Sequence, residues 1–128
     1  MNDTDIAYIA GLFDGEGSVT FGFYRSSKNG KRYGRLQARI SNTDKPCLEW
    51  VKAKIGAGRI YVKDKRKNNL GINPENLLPC YDLQLVTAQA RTFLGTILPF
   101  LKIKKGTVQG KLNAEAIYKS TQNGQRGR

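Results

Sequence analysis

The sequence predicts an α+β fold, an antiparallel sheet with helices covering one side, in the order α-β-β-α-β-β-α-α. Three observations carry this. Apolar residues recur at helical spacing over 6–13 and again over 48–55. An Asn-Gly dipeptide at Asn29-Gly30 lies between two alternating runs. Two further alternating runs, 59–63 and 81–85, are followed by more helical pattern. The 128 residues make about one domain, able to bury roughly two thirds of its unfolded surface and to hold a core without metal or disulfide staples. One domain is expected over 1–121, with a flexible polar, Gly-containing tail over 122–128.

The first helix is expected to be capped by Asp3, Thr4 or Asp5 and to run through Ile6-Ala7-Tyr8-Ile9-Ala10-Gly11-Leu12-Phe13. Ile6, Ile9 and Phe13 form an apolar stripe. Ala7, Gly11 and Gly15 form a stripe of small residues at spacing four, which lets another helix approach closely or packs onto the body of the chain. A two-residue type I′ turn at Asn29-Gly30 pairs Phe23 with Leu36, Phe21 with Ala38 and Val19 with Ile40. The other face then carries Ser18, Thr20, Gly22, Tyr24, Arg35, Gln37, Arg39 and Ser41. A one-residue slip would scramble the two faces.

A second helix fits 44–55, capped by Thr43 or Asp44, with Pro46 in its first turn and Leu48, Val51 and Ile55 inward. Gly56 and Gly58 end it. The third strand, 59–63, points Ile60 and Val62 inward and Arg59, Tyr61 and Lys63 outward. A polar loop covers 64–79. The fourth strand puts Tyr81, Leu83 and Leu85 inward, and Asp82 and Gln84 outward. A third helix over about 88–98 is capped by Thr87 and stopped near Pro99, and a last helix covers roughly 107–120.

Charge restricts what the chain can do. It holds 22 Lys+Arg against 10 Asp+Glu, a net +12, which favours a polyanionic partner such as nucleic acid. Fourteen of the 22 basic residues fall in 25–67 with three acids, so that segment carries +11. The absence of histidine removes His general bases, Ser-His and Cys-His pairs and His-based metal sites from within this chain. Cys47 and Cys80 are too few for a disulfide framework or a four-ligand zinc site, and suit thiols in a reducing compartment. No apolar run approaches the roughly 20 residues of a membrane span, and the acidic start is unlike a presequence. A soluble intracellular protein is expected, without membrane association or a small-molecule cofactor.

The outward sheet residues, Thr20, Gly22, Tyr24, Arg35, Gln37, Arg39, Arg59, Tyr61, Lys63, Asp82 and Gln84, are almost all neutral or positive. A solvated antiparallel face is common, but it ordinarily mixes both signs. A β-ribbon fits the DNA major groove, where Arg and Gln read the edges of G and A. Ser26, Lys28, Lys31, Arg32, Lys65, Arg66 and Lys67 lie in flanking turns and suit phosphate contacts, which set register rather than sequence.

Asp14-Gly15-Glu16-Gly17 sits between the first helix and the hairpin. Carboxylates at a helix C-terminus meet free carbonyls and partial negative charge, poor for stability but suited to a hard divalent cation. An acidic turn alone is common. The longer stretch Ile9-Ala10-Gly11-Leu12-Phe13-Asp14-Gly15-Glu16-Gly17 resembles the LAGLIDADG motif of the homing endonucleases. Ile40-Ser41-Asn42-Thr43-Asp44, Ile55-Gly56-Ala57-Gly58 and Leu98-Pro99-Phe100-Leu101-Lys102-Ile103-Lys104 resemble later landmarks of the same family, so the likeness covers about 6–118.

The resemblance implies a sheet that forms a DNA-binding saddle with helices on its other face. It implies that Glu16, in place of the commoner Asp, is the metal-binding catalytic carboxylate, helped by the Gly15 carbonyl. Mg²⁺ is the implied metal, with Mn²⁺ as a substitute. Asn42 resembles the residue that orders water near the scissile phosphate, and Lys104 the lysine that stabilises charge on it. Ala7, Gly11, Asp14 and Gly15 would face a second motif helix. One motif supplies one carboxylate, and cutting two strands needs two. A homodimer on a palindromic or nearly palindromic double-stranded DNA site is therefore expected, leaving short 3′ overhangs as the family does. The gene would be of the intron-encoded or a related type. Two other readings remain: a non-cleaving relative such as an intron maturase, and a basic RNA-binding structural protein. The last explains the charge but neither the acidic turn nor the small-residue stripe, and single-strand RNA readers favour more stacking aromatics than Tyr24 and Tyr61.

Overall fold

The computed structural model describes residues 1–63, 71–76 and 78–126. Helix α1 (Asp3–Glu16) leads into strand β1 (Gly17–Arg25), which pairs with β2 (Arg32–Asn42). Helix α2 (Lys45–Ile55), strand β3 (Arg59–Val62), a 3₁₀ turn (Pro74–Asn76) and strand β4 (Tyr81–Val86) follow. Helix α3 (Thr87–Ile97), a second 3₁₀ turn (Leu98–Phe100) and helix α4 (Lys105–Arg126) complete the order. The four strands form one antiparallel sheet in the order β1-β2-β4-β3.

The core lies between the helices and one face of this sheet. Ile9 and Phe13 of α1, Leu36 and Ile40 of β2, Leu48 and Val51 of α2, Leu83 and Leu85 of β4, and Leu94 and Ile97 of α3 are fully buried in it. Each such side chain adds about 1.5–3 kcal/mol through removal from water. Val108 and Glu115 anchor α4, the latter by a bidentate pair with Arg91 at 2.6 and 3.3 Å.

Helix α2 follows the expected pattern. Asp44 accepts the Cys47 N–H at 3.0 Å, proline sits in the first turn, and Gly56 ends the helix in the left-handed region at φ +77. Four local expectations are corrected. The α1 cap is Asn2, whose side chain accepts the Asp5 N–H at 2.8 Å. Thr87 does not cap α3. It sits at φ +51, because β4 remains paired as far as Val86 and the chain must turn into the helix at a single residue. Val62 keeps the inward parity of Ile60, pairing with Tyr81, but is 68% exposed and not buried, at the end of an edge strand with β4 on one side only. Helix α4 continues to Arg126, past the end expected near 120 and into the stretch read as a tail.

The hairpin register also differs. Val19 faces Ala38, Phe21 faces Leu36 and Phe23 faces Gly34. Every pair is displaced by two residues from the expectation, because the turn is longer than two residues. Ser26 donates to the Lys31 carbonyl, and Gly30 donates to the Ser26 carbonyl at 2.9 Å. Only Gly30 in this turn has positive φ, at +69, whereas a type I′ turn needs it at both central residues. Asn29 instead accepts the Lys31 N–H at 2.9 Å and donates to the Tyr33 hydroxyl at 2.9 Å. A displacement of two preserves the alternation, so each residue keeps its face.

Candidate nucleic-acid interface and acidic turn

The exposed face of the sheet is built by alternation. Arg39 of β2 stands beside Gln84 of β4, which stands beside Arg59 of β3. One step along, Ser41, Asp82 and Tyr61 form a second row. The Gln37 amide donates to the Gln84 side-chain oxygen at 3.0 Å and ties β2 to β4. Ser41 Oγ donates to Asp82 Oδ1 at 2.5 Å, and Arg39 Nη1 lies 3.9 Å from Asp82 Oδ2. Towards the hairpin tip, the Arg35 guanidinium lies 5.5 Å from the centre of the Tyr24 ring; on β3, that of Arg59 lies 5.8 Å from the centre of the Tyr61 ring. Such cation–aromatic contacts orient long side chains that would otherwise sample many rotamers.

At one end of this face the chain passes from α1 into β1 without a loop. Gly17 is both the cap of the helix, donating its N–H to the Phe13 carbonyl, and the first residue of the strand. A Cβ at Gly17 would fall 2.6 Å from the Phe13 carbonyl oxygen and 2.3 Å from its ring, so only glycine fits.

The two acids of the turn differ sharply. Asp14 is 8% exposed and faces the segment before α4. Its Oδ2 accepts the Lys102 N–H at 2.7 Å, and its Oδ1 accepts those of Ile103 and Lys104 at 3.1 and 2.9 Å. Lys104 returns the contact, its Nζ donating to the carbonyls of Phe13 and Asp14 at 3.2 and 2.8 Å. An ammonium at these last-turn carbonyls opposes the negative end of the helix dipole, where the last turn has no basic residue of its own. Burial alone would raise the Asp14 carboxyl. The three backbone N–H donors and the Lys104 charge outweigh it and hold the group below its ordinary 3.8. Glu16, in contrast, is exposed.

The arrangement of helices and strands matches solved structures. The homing endonuclease I-CvuI, in complex with the I-CreI target, superposes with a TM-score of 0.65 at 21% identity, over 88% of this chain and 68% of that one. The archaeal intron-encoded homing endonuclease I-Vdi141I, complexed with DNA, gives 0.61 at 21% identity over 84% and 64%. The LAGLIDADG meganuclease I-AabMI, bound to uncleaved DNA, gives 0.66 at 16% identity over 95% of this chain and 38% of that one. The chain has the LAGLIDADG endonuclease fold. No family model and no curated protein matches the sequence.

Within the LAGLIDADG fold, the expected site residues distribute unevenly. Thr20, Gly22, Tyr24, Arg35, Gln37, Arg39, Arg59, Tyr61, Asp82 and Gln84 share the outward sheet face by register, and Lys63 follows β3 in the same alternation. Asp82 differs from the rest in being buried. Ser26, Lys28 and Lys31 form the hairpin turn, where Ser26 Oγ accepts the Lys28 N–H. Arg32 does not join them. It falls on the helix-side parity of β2, 4.4 Å from the centre of the Phe23 ring. Lys65, Arg66 and Lys67 lie outside the described residues. Tyr33, missed from sequence, shares the outward parity and meets the Tyr24 ring at 5.9 Å. The alternation that placed Arg35 would have found it.

Ala7, Gly11 and Gly15 are exposed along α1, with open space where a Cβ would stand at Gly11 and Gly15. Asp14, expected beside them, turns inward as described. Asn42 closes β2, its side-chain oxygen accepting the Asp44 N–H at 2.8 Å to start α2. Strand alternation puts Ser41, not Asn42, on the outward face. Gly17 pairs with Ile40, so Asn42 still lies at the α1 end of the sheet. Among the described residues, no three Asp, Glu or Cys side chains cluster to hold a metal. A single exposed carboxylate with the Gly15 carbonyl fits a cation that keeps waters and takes phosphate oxygens, as Mg²⁺ does, and not an all-protein cage. No described helix is long and apolar enough to cross a membrane.

Proposed function

We propose that this chain is one subunit of a homodimeric, sequence-specific DNA endonuclease that hydrolyses both strands of a long palindromic or pseudo-palindromic site. The observation that carries this is the junction at Gly17, where an exposed Glu16 stands at the head of a basic, Arg- and Gln-bearing sheet face with no residue between them. DNA along that face would bring its backbone to the carboxylate. The structural neighbours support DNA as partner, being solved as DNA complexes, and the I-CvuI complexes were formed with Mg or Ca.

In this reading Glu16 and the Gly15 carbonyl would hold Mg²⁺, with Mn²⁺ able to replace it. Bound there, the ion would lower the pKa of water and neutralise charge on the phosphate. Lys104 holds the carbonyl end of α1 in place and brings its positive charge to the scissile phosphate. The Asn42 amide N–H₂, at the same end of the sheet, orders water. Asp14 fixes the segment that carries Lys104.

The dimer reading rests on the exposed Ala7, Gly11 and Gly15 stripe and on the 78% exposure of Ile103 next to the Asp14 anchor. A second α1 packed there would place two Glu16 carboxylates near one axis, one for each strand, and cleavage would leave short 3′ overhangs. The test is Glu16→Gln. It should abolish Mg²⁺-dependent cleavage of a library of random palindromic duplexes while leaving retention of the same duplexes on a filter within about threefold. Cleavage at the wild-type rate sinks the assignment.

A further inference from the structure

We propose that Asp82 is a positioning residue for recognition, holding Arg39 over the sheet so that its guanidinium meets one base edge in one orientation, without itself touching DNA. The inference rests on the reading of this face as a DNA surface, and adds to it a residue that acts through another.

Asp82 is the only acid among the described outward-facing sheet residues, and it is 5% exposed. A carboxylate removed from water needs partners. Ser41 supplies a hydrogen bond to Oδ1, and Arg39, on the neighbouring strand, approaches Oδ2 at 3.9 Å. The Arg39 side chain keeps 44% of its surface exposed, against 7% for Asp82. The acid lies beneath and the guanidinium above it, open to a ligand. The Gln37–Gln84 amide pair stands alongside, so Arg39 has a fixed neighbour on one side and a fixed anion on the other.

An unanchored arginine on a basic face finds the nearest phosphate, which raises affinity for all DNA and distinguishes none. The anchored one is aimed at the groove, where a bidentate contact discriminates between bases. The buried negative charge also repels any phosphate that comes close, which disfavours misregistered complexes. Asp82 thus lowers total affinity and raises the ratio of specific to non-specific binding.

The experiment selects duplexes from a randomised library with wild-type protein. It then compares binding of the selected duplex with that of a random-sequence duplex, for wild type, Asp82→Asn, Arg39→Gln and the double variant. Asp82→Asn keeps the shape and the acceptor for Ser41 but removes the charge. It should tighten binding to the random duplex and cut the specificity ratio about tenfold, the scale of one lost base contact. In the Arg39→Gln background the same change should move the ratio by less than about twofold, since its route of action is gone. An unchanged ratio in Asp82→Asn, or an equal loss in both backgrounds, overturns the proposal. If Asp82→Asn loses its circular-dichroism melting transition, Ser41→Ala takes its place. It leaves the charge but frees the carboxylate, and the same two criteria decide. A wild type that selects no duplex overturns the DNA reading itself, whereas failure at Asp82 alone leaves that selection intact.

Discussion

Asp14 and Glu16 stand two positions apart in one short motif, and the fold gives them opposite surroundings. Asp14 accepts three backbone N–H groups and is buried, while Glu16 faces solvent. Hydrogen bonds to a charged acceptor each contribute about 1.5–3 kcal/mol, so Asp14→Asn should destabilise the chain by roughly 2–4 kcal/mol, read by thermal or urea unfolding. The pH dependence has a definite sign. Because the folded-state carboxyl lies below its ordinary 3.8, its contribution is fully present above about pH 4 and drains away as pH falls through the lowered value. Stability profiles of the wild type and Asp14→Asn should converge at acid pH; a constant gap between them would contradict the clamp. The place of Glu16 was legible in the sequence, because its motif is contiguous and needs no long-range geometry. The inward turn of Asp14 was not, since its partners lie some ninety residues away in the chain.

At the scale of elements, the hairpin carries most of the outward polar and basic sheet face and depends on support from behind. Phe21, Phe23 and Tyr118 of α4 meet as a cluster with centroids 5.4–5.8 Å apart. Gly34 lies under it, and a Cβ there would come 2.7 Å from the Phe21 ring and 3.1 Å from Tyr118. Gly34→Ala should cost about 1–3 kcal/mol by overpacking and loosen the tip, checked by unfolding and by hydrogen exchange of β1 amides. Unchanged exchange would show that α4 does not brace the hairpin. The face assignment of every hairpin residue was legible from alternation alone. The pairing was not, because an Asn-Gly dipeptide signals a turn without fixing its length. Here Asn29 bonds to Lys31 and Tyr33 instead of occupying a left-handed corner. Thr87 was misread for a similar reason: a hydroxyl residue before a helical pattern resembles a cap unless one knows that the strand continues to Val86.

At the scale of the whole molecule, the small-residue stripe on α1 is exposed, so the proposed dimer can be tested apart from folding. Gly11 has open space around it, so Gly11→Leu removes a flexible helix residue and should leave the monomer as stable as before or up to about 1 kcal/mol more so. In the proposed dimer the same change would put a bulky side chain between two close helices. Sedimentation should then report a shift from dimer to monomer, with double-strand cleavage lost and the melting temperature kept. A monomeric wild type, or a Gly11→Leu dimer, removes the two-fold reading. The sheet, the helical layer and the basic face were all legible from periodicity and charge, whereas the lone outward carboxylate at Asp82 was read as one contact among many. Its burial and its Arg39 partner depend on which strands are neighbours, and β4 lies between β2 and β3 only in three dimensions.

The loop-free junction at Glu16–Gly17 also constrains how this chain could be altered by insertion. One added residue after Glu16 would advance β1 by about 3.3 Å and exchange its faces, turning Val19 and Phe21 to solvent and Thr20 and Tyr24 into the core. Two would restore the faces but shift the acid by a full pleat, about 6.6 Å, relative to the outward side chains of the sheet. Length variation in such a chain must therefore collect elsewhere, at the hairpin tip or between β3 and β4, where added residues leave the spacing between carboxylate and outward sheet face untouched.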